Sequence, residues 1–437
     1  MNKQKIGLFT TTAIVVANMV GTGVFTSLGF QVAGLHSGFT IMLLWITGGI
    51  VAFTGALCYG ELGSMFPQSG GEYNYLSKIY HPALGFAAGW VSVTVGFAAP
   101  VAAASMALGA YTNGVFPFIN PLYLAALVVI LISVIHSNSI KVGSQFQNYT
   151  TSFKVLAVIA IIIFGLLSQQ SGDIQFGYQA KVMDEIFSAS FATSFFFVSL
   201  AYSGWNAAGY IASDMDSPQR NIPKALLYGT LLVTLLYVAI NFVFMYVTPL
   251  HEMSNENGPV LDIAGVAAKH IFGISGGKIM SMIIAFLLIS TISAMIIAGP
   301  RVTQSMGNDH QVFKLFSKTT LKGVPAIAIV TQCLISLFFI FSSSFSQVVI
   351  YISFTLNVFT FLAIAGIIIM RIKHPERERP YKTWGYPVIP IIFLLITGGL
   401  MYIGLMSNLK ESILGLLTAL SGVFVYLIFA RKKESTR

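Results

Sequence analysis

Apolar residues in this chain come in long runs, not in the alternation of a half-buried strand or the single stripe of a soluble amphipathic helix. Each run approaches the roughly 20 residues that carry an α-helix across a bilayer. The polar stretches between runs are too short to fold as separate domains. The pattern predicts helices over residues 7–35, 38–66, 83–115, 122–135, 144–167, 186–211, 225–247, 278–306, 326–341, 348–370, 388–406 and 413–430. The expected fold class is all-α and integral to the membrane, with about 12 transmembrane helices in one domain over 1–437.

Two runs are interrupted from within. The first contains Gly21-Thr22-Gly23 and the sixth Ser203-Gly204-Trp205, five spans later. Glycine accepts backbone angles that other residues resist, and non-helical backbone at membrane depth persists only where it lines a cavity or is buried in protein. A single such glycine reads as close packing between helices. Two at matched positions, each beside a polar residue, predict discontinuous helices 1 and 6 around a central cavity. The spacing fits a 5+5 inverted repeat, with repeat one at about 7–167, repeat two at about 186–370 and two extra helices at about 388–430.

Tyr202, Ser203, Trp205 and Asn206 add polarity at hydrocarbon depth. Breaking a helix frees N–H groups at the start of its second half, which suit an anion, and carbonyls at the end of its first half, which suit a cation. A zwitterionic amino acid offers both charges. The expected activity is therefore secondary transport of a free amino acid.

Composition agrees with the runs: 55% of residues are hydrophobic and 9% charged, against about 25% charged in soluble domains. The net charge of +9 invites a nucleic-acid reading, but its placement argues otherwise. With the N-terminus inside, inner segments hold nineteen Lys and Arg, while outer loops hold four, Lys181, Lys269, Lys278 and Lys410. That asymmetry predicts a multi-pass cell-membrane protein with both termini cytoplasmic and no nucleic-acid partner. Basic clusters from Arg371 to Lys382 and after Ala430 can touch anionic membrane lipid. Cys58 and Cys333 lie within apolar runs, which excludes a disulfide framework. The first run is too long for a signal-peptide core and is kept as a structural helix.

Short motifs recur in order through the chain. The first run carries Val20-Gly21-Thr22-Gly23-Val24-Phe25. The second ends in Tyr59-Gly60-Glu61-Leu62, then Phe66-Pro67, Ser69-Gly70-Gly71 and Tyr73. The sixth carries Ala201-Tyr202-Ser203-Gly204-Trp205-Asn206, followed by Pro218, Arg220-Asn221-Ile222-Pro223 and Ala225-Leu226. Beyond the eighth come Pro300-Arg301 and Asp309, and before the eleventh Arg379-Pro380-Tyr381-Lys382 with Gly385-Tyr386-Pro387. Together they resemble the amino acid/polyamine/organocation (APC) superfamily over nearly the whole chain, most closely its L-type amino acid transporter branch and bacterial relatives.

The resemblance implies that the substrate carboxylate meets backbone amides around Thr22, Gly23 and Val24, with the Thr22 hydroxyl assisting. It implies that the substrate ammonium meets carbonyls near Val20 and from Leu200 to Ser203. The expected binding residues are thus Val20, Gly21, Thr22, Gly23 and Val24 with Leu200, Ala201, Tyr202, Ser203, Gly204, Trp205 and Asn206. Several L-type members place an aromatic gate four residues before the Gly-Trp pair, where this chain has Leu200, implying a weaker lid or one supplied by another helix. Partner glycoproteins of animal members attach through a cysteine in the outer loop between spans three and four. None stands there in this chain, so no disulfide-linked partner subunit is expected.

Lys154 is the one basic residue well inside an apolar run, and intramembrane charge is costly enough to point to function. Its position resembles that of a lysine which, in sodium-independent relatives, stands where sodium-coupled cousins bind their ion. The expectation is a coupling residue tethering helix five to the first broken helix, against the bland alternative of snorkelling to the surface. Glu61 reads as a partner for a basic loop residue. The histidines lack ligand spacing, and no metal or cofactor site is expected. Without a Walker loop, a nucleophile elbow or a carboxylate pair, neither ATP-driven transport nor an enzyme has support.

Neither broken segment contains a carboxylate, which disfavours cationic substrate side chains. Val20, Val24, Ala98 and Leu200 as pocket walls suit small or medium neutral ones. The expected mechanism is alternating access, with exchange and proton symport both open. The competing class is a channel, or a transceptor that binds amino acids without coupled transport.

Overall fold

A computed structural model describes residues 5–138, 141–169, 172–178, 181–255, 258–320 and 323–430 of the chain. The expected cytoplasmic termini, with Lys3 and the basic tail from Arg431, lie outside the described residues, as does Lys322.

Lipid offers backbone N–H and C=O groups no partner, so apolar runs fold as helices, which satisfy those groups internally. In chain order these are α1 (Leu8–Met19), α2 (Thr22–Val32), α3 (Gly38–Met65), α4 (Glu72–Ile79), α5 (Pro82–Val91), α6 (Ala98–Val115), α7 (Pro121–Asn138), α8 (Lys141–Leu166) and α9 (Val182–Ile186). They continue as α10 (Ala189–Tyr202), α11 (Ala207–Tyr210), α12 (Pro218–Val247), α13 (Leu250–Met253), α14 (Ile263–Asp309), α15 (Ala326–Ser342), α16 (Phe345–Lys373), α17 (Val388–Ser407) and α18 (Leu409–Val425). Beyond a two-residue hairpin pairing Ser254 with Pro259, the described fold is all-α.

Among the described residues, 8 helical stretches are long and apolar enough to cross a membrane. The fourth, fifth, sixth and ninth expected runs fall on shorter apolar helices, Pro121–Ser137, Thr151–Leu166, Ala189–Tyr202 and Ala326–Ser342. The sixth run is short because it stops at its break. The eighth is longer than expected: helix begins at Ile263, and Gly273, at φ 78, divides a short first helix from the longer one. The third run contains a π-helical turn, Ser92–Gly96, between α5 and α6. The hydroxyls of Ser92 and Thr94 bond back to Ala88 O and Trp90 O, and such side-chain competition for carbonyls favours departures from the regular helix.

The helices sort into two groups. In one, α12 packs along α3 and α1, and α10 packs on α3; in the other, α14 packs along α6, with α7 and α15 beside them. α8 touches both α12 and α14, and α16 touches both α10 and α6, so each bridges the groups. α17 and α18 lie outside, against α3 and α5 respectively.

Candidate functional site

The first run breaks where its glycines predict. α1 ends with Val20 at ψ 87, Gly21 is extended at φ -135, and α2 starts at Thr22. Thr22, Gly23 and Val24 form the first turn of α2, where N–H groups have no partner within the helix. All five residues from Val20 to Val24 are buried.

The second break lies between α10 and α11. Gly204 takes φ 93, an angle that a side chain would strain. The turn closes largely on itself: Ser203 returns both its N–H, 3.0 Å, and its hydroxyl, 2.6 Å, to Leu200 O. The N–H of Ala207 reaches Gly204 O at 3.0 Å.

The breaks touch. A Cβ at Gly23 would fall 2.4 Å from Ala201 Cα, and one at Gly204 would fall 2.8 Å from Asn18 O, so glycine at both places permits the approach. α2 packs against α10 and α1 against α11, so the halves pair first with second. Tyr237 of α12 spans the junction, its phenol oxygen 2.5 Å from Met19 O and 3.2 Å from Ala201 O. Both carbonyls end the first half of a broken helix, and nothing in the run around Tyr237 marks it in advance.

Lys154 lies at this junction and is 1% exposed. Its ammonium donates to Thr291 Oγ1 of α14 at 2.7 Å and lies 3.4 Å from Val20 O. The contact joins α8 to the end of α1, and the side chain is not directed to the surface.

A cavity of about 730 Å³ opens beside the junction. Of the expected residues, Leu200, Tyr202, Ser203, Gly204, Trp205 and Asn206 line it, together with Ala17 and Asn18 of α1. Val20 to Val24 and Ala201 are not among its lining residues; they form the packed contact between the breaks. The π turn contributes Ser92 and Gly96 to the wall, and α16 contributes Asn357, hydrogen-bonded to Ser199 of α10 at 3.3 Å.

One carboxylate reaches this wall that the sequence places outside every apolar run. Glu72 begins α4 and is 7% exposed. Its Oε1 accepts from Tyr59 at 2.9 Å and from Asn206 Nδ2 at 2.6 Å, and its Oε2 accepts from Tyr210 at 2.6 Å. Next to it, burial and the neighbouring Asp309 push the Tyr73 phenol up, so it stays protonated and donates to Asp309 at 3.0 Å. Arg301 of α14 lines the same cavity.

Glu61 serves elsewhere. It is fully buried and takes a two-pronged contact from Arg371, 2.9 and 2.7 Å, with Arg379 Nε at 3.4 Å and the Thr383 N–H at 2.8 Å. The bidentate geometry makes a strong structural clasp between α3 and α16. His136 is buried in α7 and pairs with Ser293 at 2.8 Å. Among the described residues, no group of His, Cys, Asp and Glu has the geometry to hold a metal ion.

The amino acid permease family matches residues 6–430 of the chain. The serine/threonine exchanger SteT of Bacillus subtilis (strain 168) is 29% identical, over 99% of this chain and 98% of its own length. The b(0,+)-type amino acid transporter 1 of Mus musculus is 27% identical, over 99% of this chain and 89% of its own. The large neutral amino acids transporter small subunit 2 of Mus musculus is 28% identical, over 98% and 81%.

Proposed function

The chain belongs to the amino acid permease family and is a multi-pass membrane transporter of amino acids, not an enzyme; on that premise we propose that it carries small or medium neutral L-amino acids by alternating access, independently of sodium, in exchange or with a proton. The observation that carries this reading is the contact of two helix breaks beside a cavity, with Gly23 against Ala201 and Gly204 against Asn18. N–H groups without an intrahelical partner at the start of α2 suit the substrate carboxylate, and the carbonyls ending α1 and α10 suit its ammonium. The packed contact at Val20 to Val24 opens to expose those amides as one helix group rocks against the other. Pairing of α1 with α11 and of α2 with α10 supports an inverted repeat.

Neutral cargo is supported by the chemistry of the cavity wall. The Glu72 carboxylate already holds three neutral donors, and Arg301 brings positive charge to the same wall, which disfavours a cationic side chain. Two relatives are named for neutral cargo, serine and threonine in one and large neutral amino acids in the other. Sodium independence is supported by Lys154, whose ammonium occupies the Val20 carbonyl between α8 and α1. The buried Cys58 and the half-buried Cys333, both in apolar helices, favour a protein working without a disulfide-linked partner. The basic loops favour the cell membrane with both termini cytoplasmic.

Proteoliposomes test this reading. Saturable uptake of labelled L-serine or L-alanine, unchanged when choline replaces sodium, is the expected result. Stimulation by internal amino acid marks exchange, and stimulation by an imposed pH gradient marks symport. Unsaturable flux would instead support a channel.

A further inference from the structure

We propose that Glu72 is a positioning residue for transport: through it, α4 carries the setting of the α10–α11 break to α14 and α16. This rests on the transport reading above. Glu72 lies in the cavity wall, and the carboxylate is buried among neutral donors. Among the described residues no Lys, Arg or His forms an ion pair with it. A buried carboxylate without a counter-ion depends on its hydrogen bonds, and two of the three come from the break. Asn206 ends the unwound turn, and Tyr210 closes α11 after it. A shift of that turn therefore moves two donors of one anion together.

The approach of α4 is built for this contact. Gly70 and Gly71 take φ 124 and φ 51, and a Cβ at Gly71 would lie 2.6 Å from the Tyr210 ring. α4 and its C-cap are also bonded to helices away from the break. Tyr73 meets Asp309 at the end of α14, with His310 Nε2 at 3.1 Å, and Tyr80 donates to Leu362 O of α16 at 2.8 Å. Glu72 at the start of α4 thus meets the break, while Tyr73 and, just past the helix, Tyr80 meet α14 and α16. The carboxylate holds three donors already, so a role as direct ligand for a substrate cation is the less favoured alternative.

The test uses the full chain in proteoliposomes, with labelled L-serine as probe, together with equilibrium binding of L-serine to purified protein. Glu72→Ala is expected to lower the maximal exchange rate by about tenfold while binding stays within about twofold, the signature of an interaction used in turnover and not in ground-state binding. Tyr210→Phe, which keeps the ring that packs on Gly71, is expected to lower the rate by about threefold, and the double variant to be no slower than Glu72→Ala, as groups in one network are not additive. Should Glu72→Ala fail to yield monodisperse protein, Tyr210→Phe and Tyr59→Phe decide the matter alone. The proposal is overturned if these variants run at the wild-type rate, if the losses add, or if half-saturation rises with the maximal rate intact, which would make Glu72 a substrate ligand. Wild-type protein that neither binds nor exchanges a neutral amino acid defeats the transport reading itself, a result distinct from all of these.

Discussion

The break between α1 and α2 is gripped from outside by a cation, with Lys154 Nζ 3.4 Å from Val20 O. The break between α10 and α11 closes on its own Ser203 and reaches out through Asn206 to an anion. The first therefore has its carbonyl end held by a positive charge from a bridging helix, α8. The second has amide and phenol donors held by a negative charge from α4. Tyr237 is the one described side chain that hydrogen-bonds a carbonyl of each. Opposite charges on separate elements thus hold the two breaks.

The largest expected effect comes from removing the outside grip on the first break. Lys154→Ala takes away the tie from α8 to Val20 and Thr291, and misplacing a binding element by an ångström costs about a hundredfold in rate. Exchange of labelled amino acid in proteoliposomes reads it, and wild-type exchange would remove Lys154 from the coupling role.

Gly23→Ala attacks the contact between the breaks. Its new Cβ meets backbone at 2.4 Å, so the segments must separate; overpacking of this kind costs about 1–3 kcal/mol. A lower melting temperature in detergent together with lost exchange is expected, and an unchanged melting temperature would mean that the contact is loose. Gly204→Ala attacks the same contact from the second break, through its positive φ and the 2.8 Å approach to Asn18 O. The approach is looser than the 2.4 Å at Gly23, but the left-handed angle adds about 1–2 kcal/mol, so a comparable loss is expected, and wild-type exchange would show that the second break tolerates both.

Tyr237→Phe should have the smallest effect, removing one donor near two carbonyls at about 1 kcal/mol. If the phenol couples the breaks, the effect of Gly204→Ala changes in the Tyr237→Phe background. Strict additivity in melting temperature and exchange rate would show that the breaks do not communicate through it.

Much of this site is legible along the chain. Gly21 and Gly204 stand out because a glycine beside a polar residue inside an apolar run marks backbone that leaves the helix at membrane depth, where it must line a cavity or be buried. Lys154 stands out because charge there is expensive. The π turn at Ser92–Gly96 does not stand out, because its residues remain compatible with an ordinary helix. Glu72 escapes notice for a different reason: it lies in a polar connection between runs, and the fold brings that connection into the cavity wall.

Hydropathy and backbone chemistry act locally, so the sequence by itself determined that the chain crosses the membrane repeatedly, where two of its helices break, and which charge is buried among them. Partnership is decided at a distance. Asn206 meets Glu72 across 134 positions and Lys154 meets Thr291 across 137, and Tyr237 reaches Met19 across 218. Such pairings depend on how helices cross and rotate against one another, which a run of apolar residues does not specify, because nearly every face of a membrane helix is apolar. Only the tertiary structure could therefore decide that Glu72 is the anion at the second break and that Thr291 shares the Lys154 ammonium at the first.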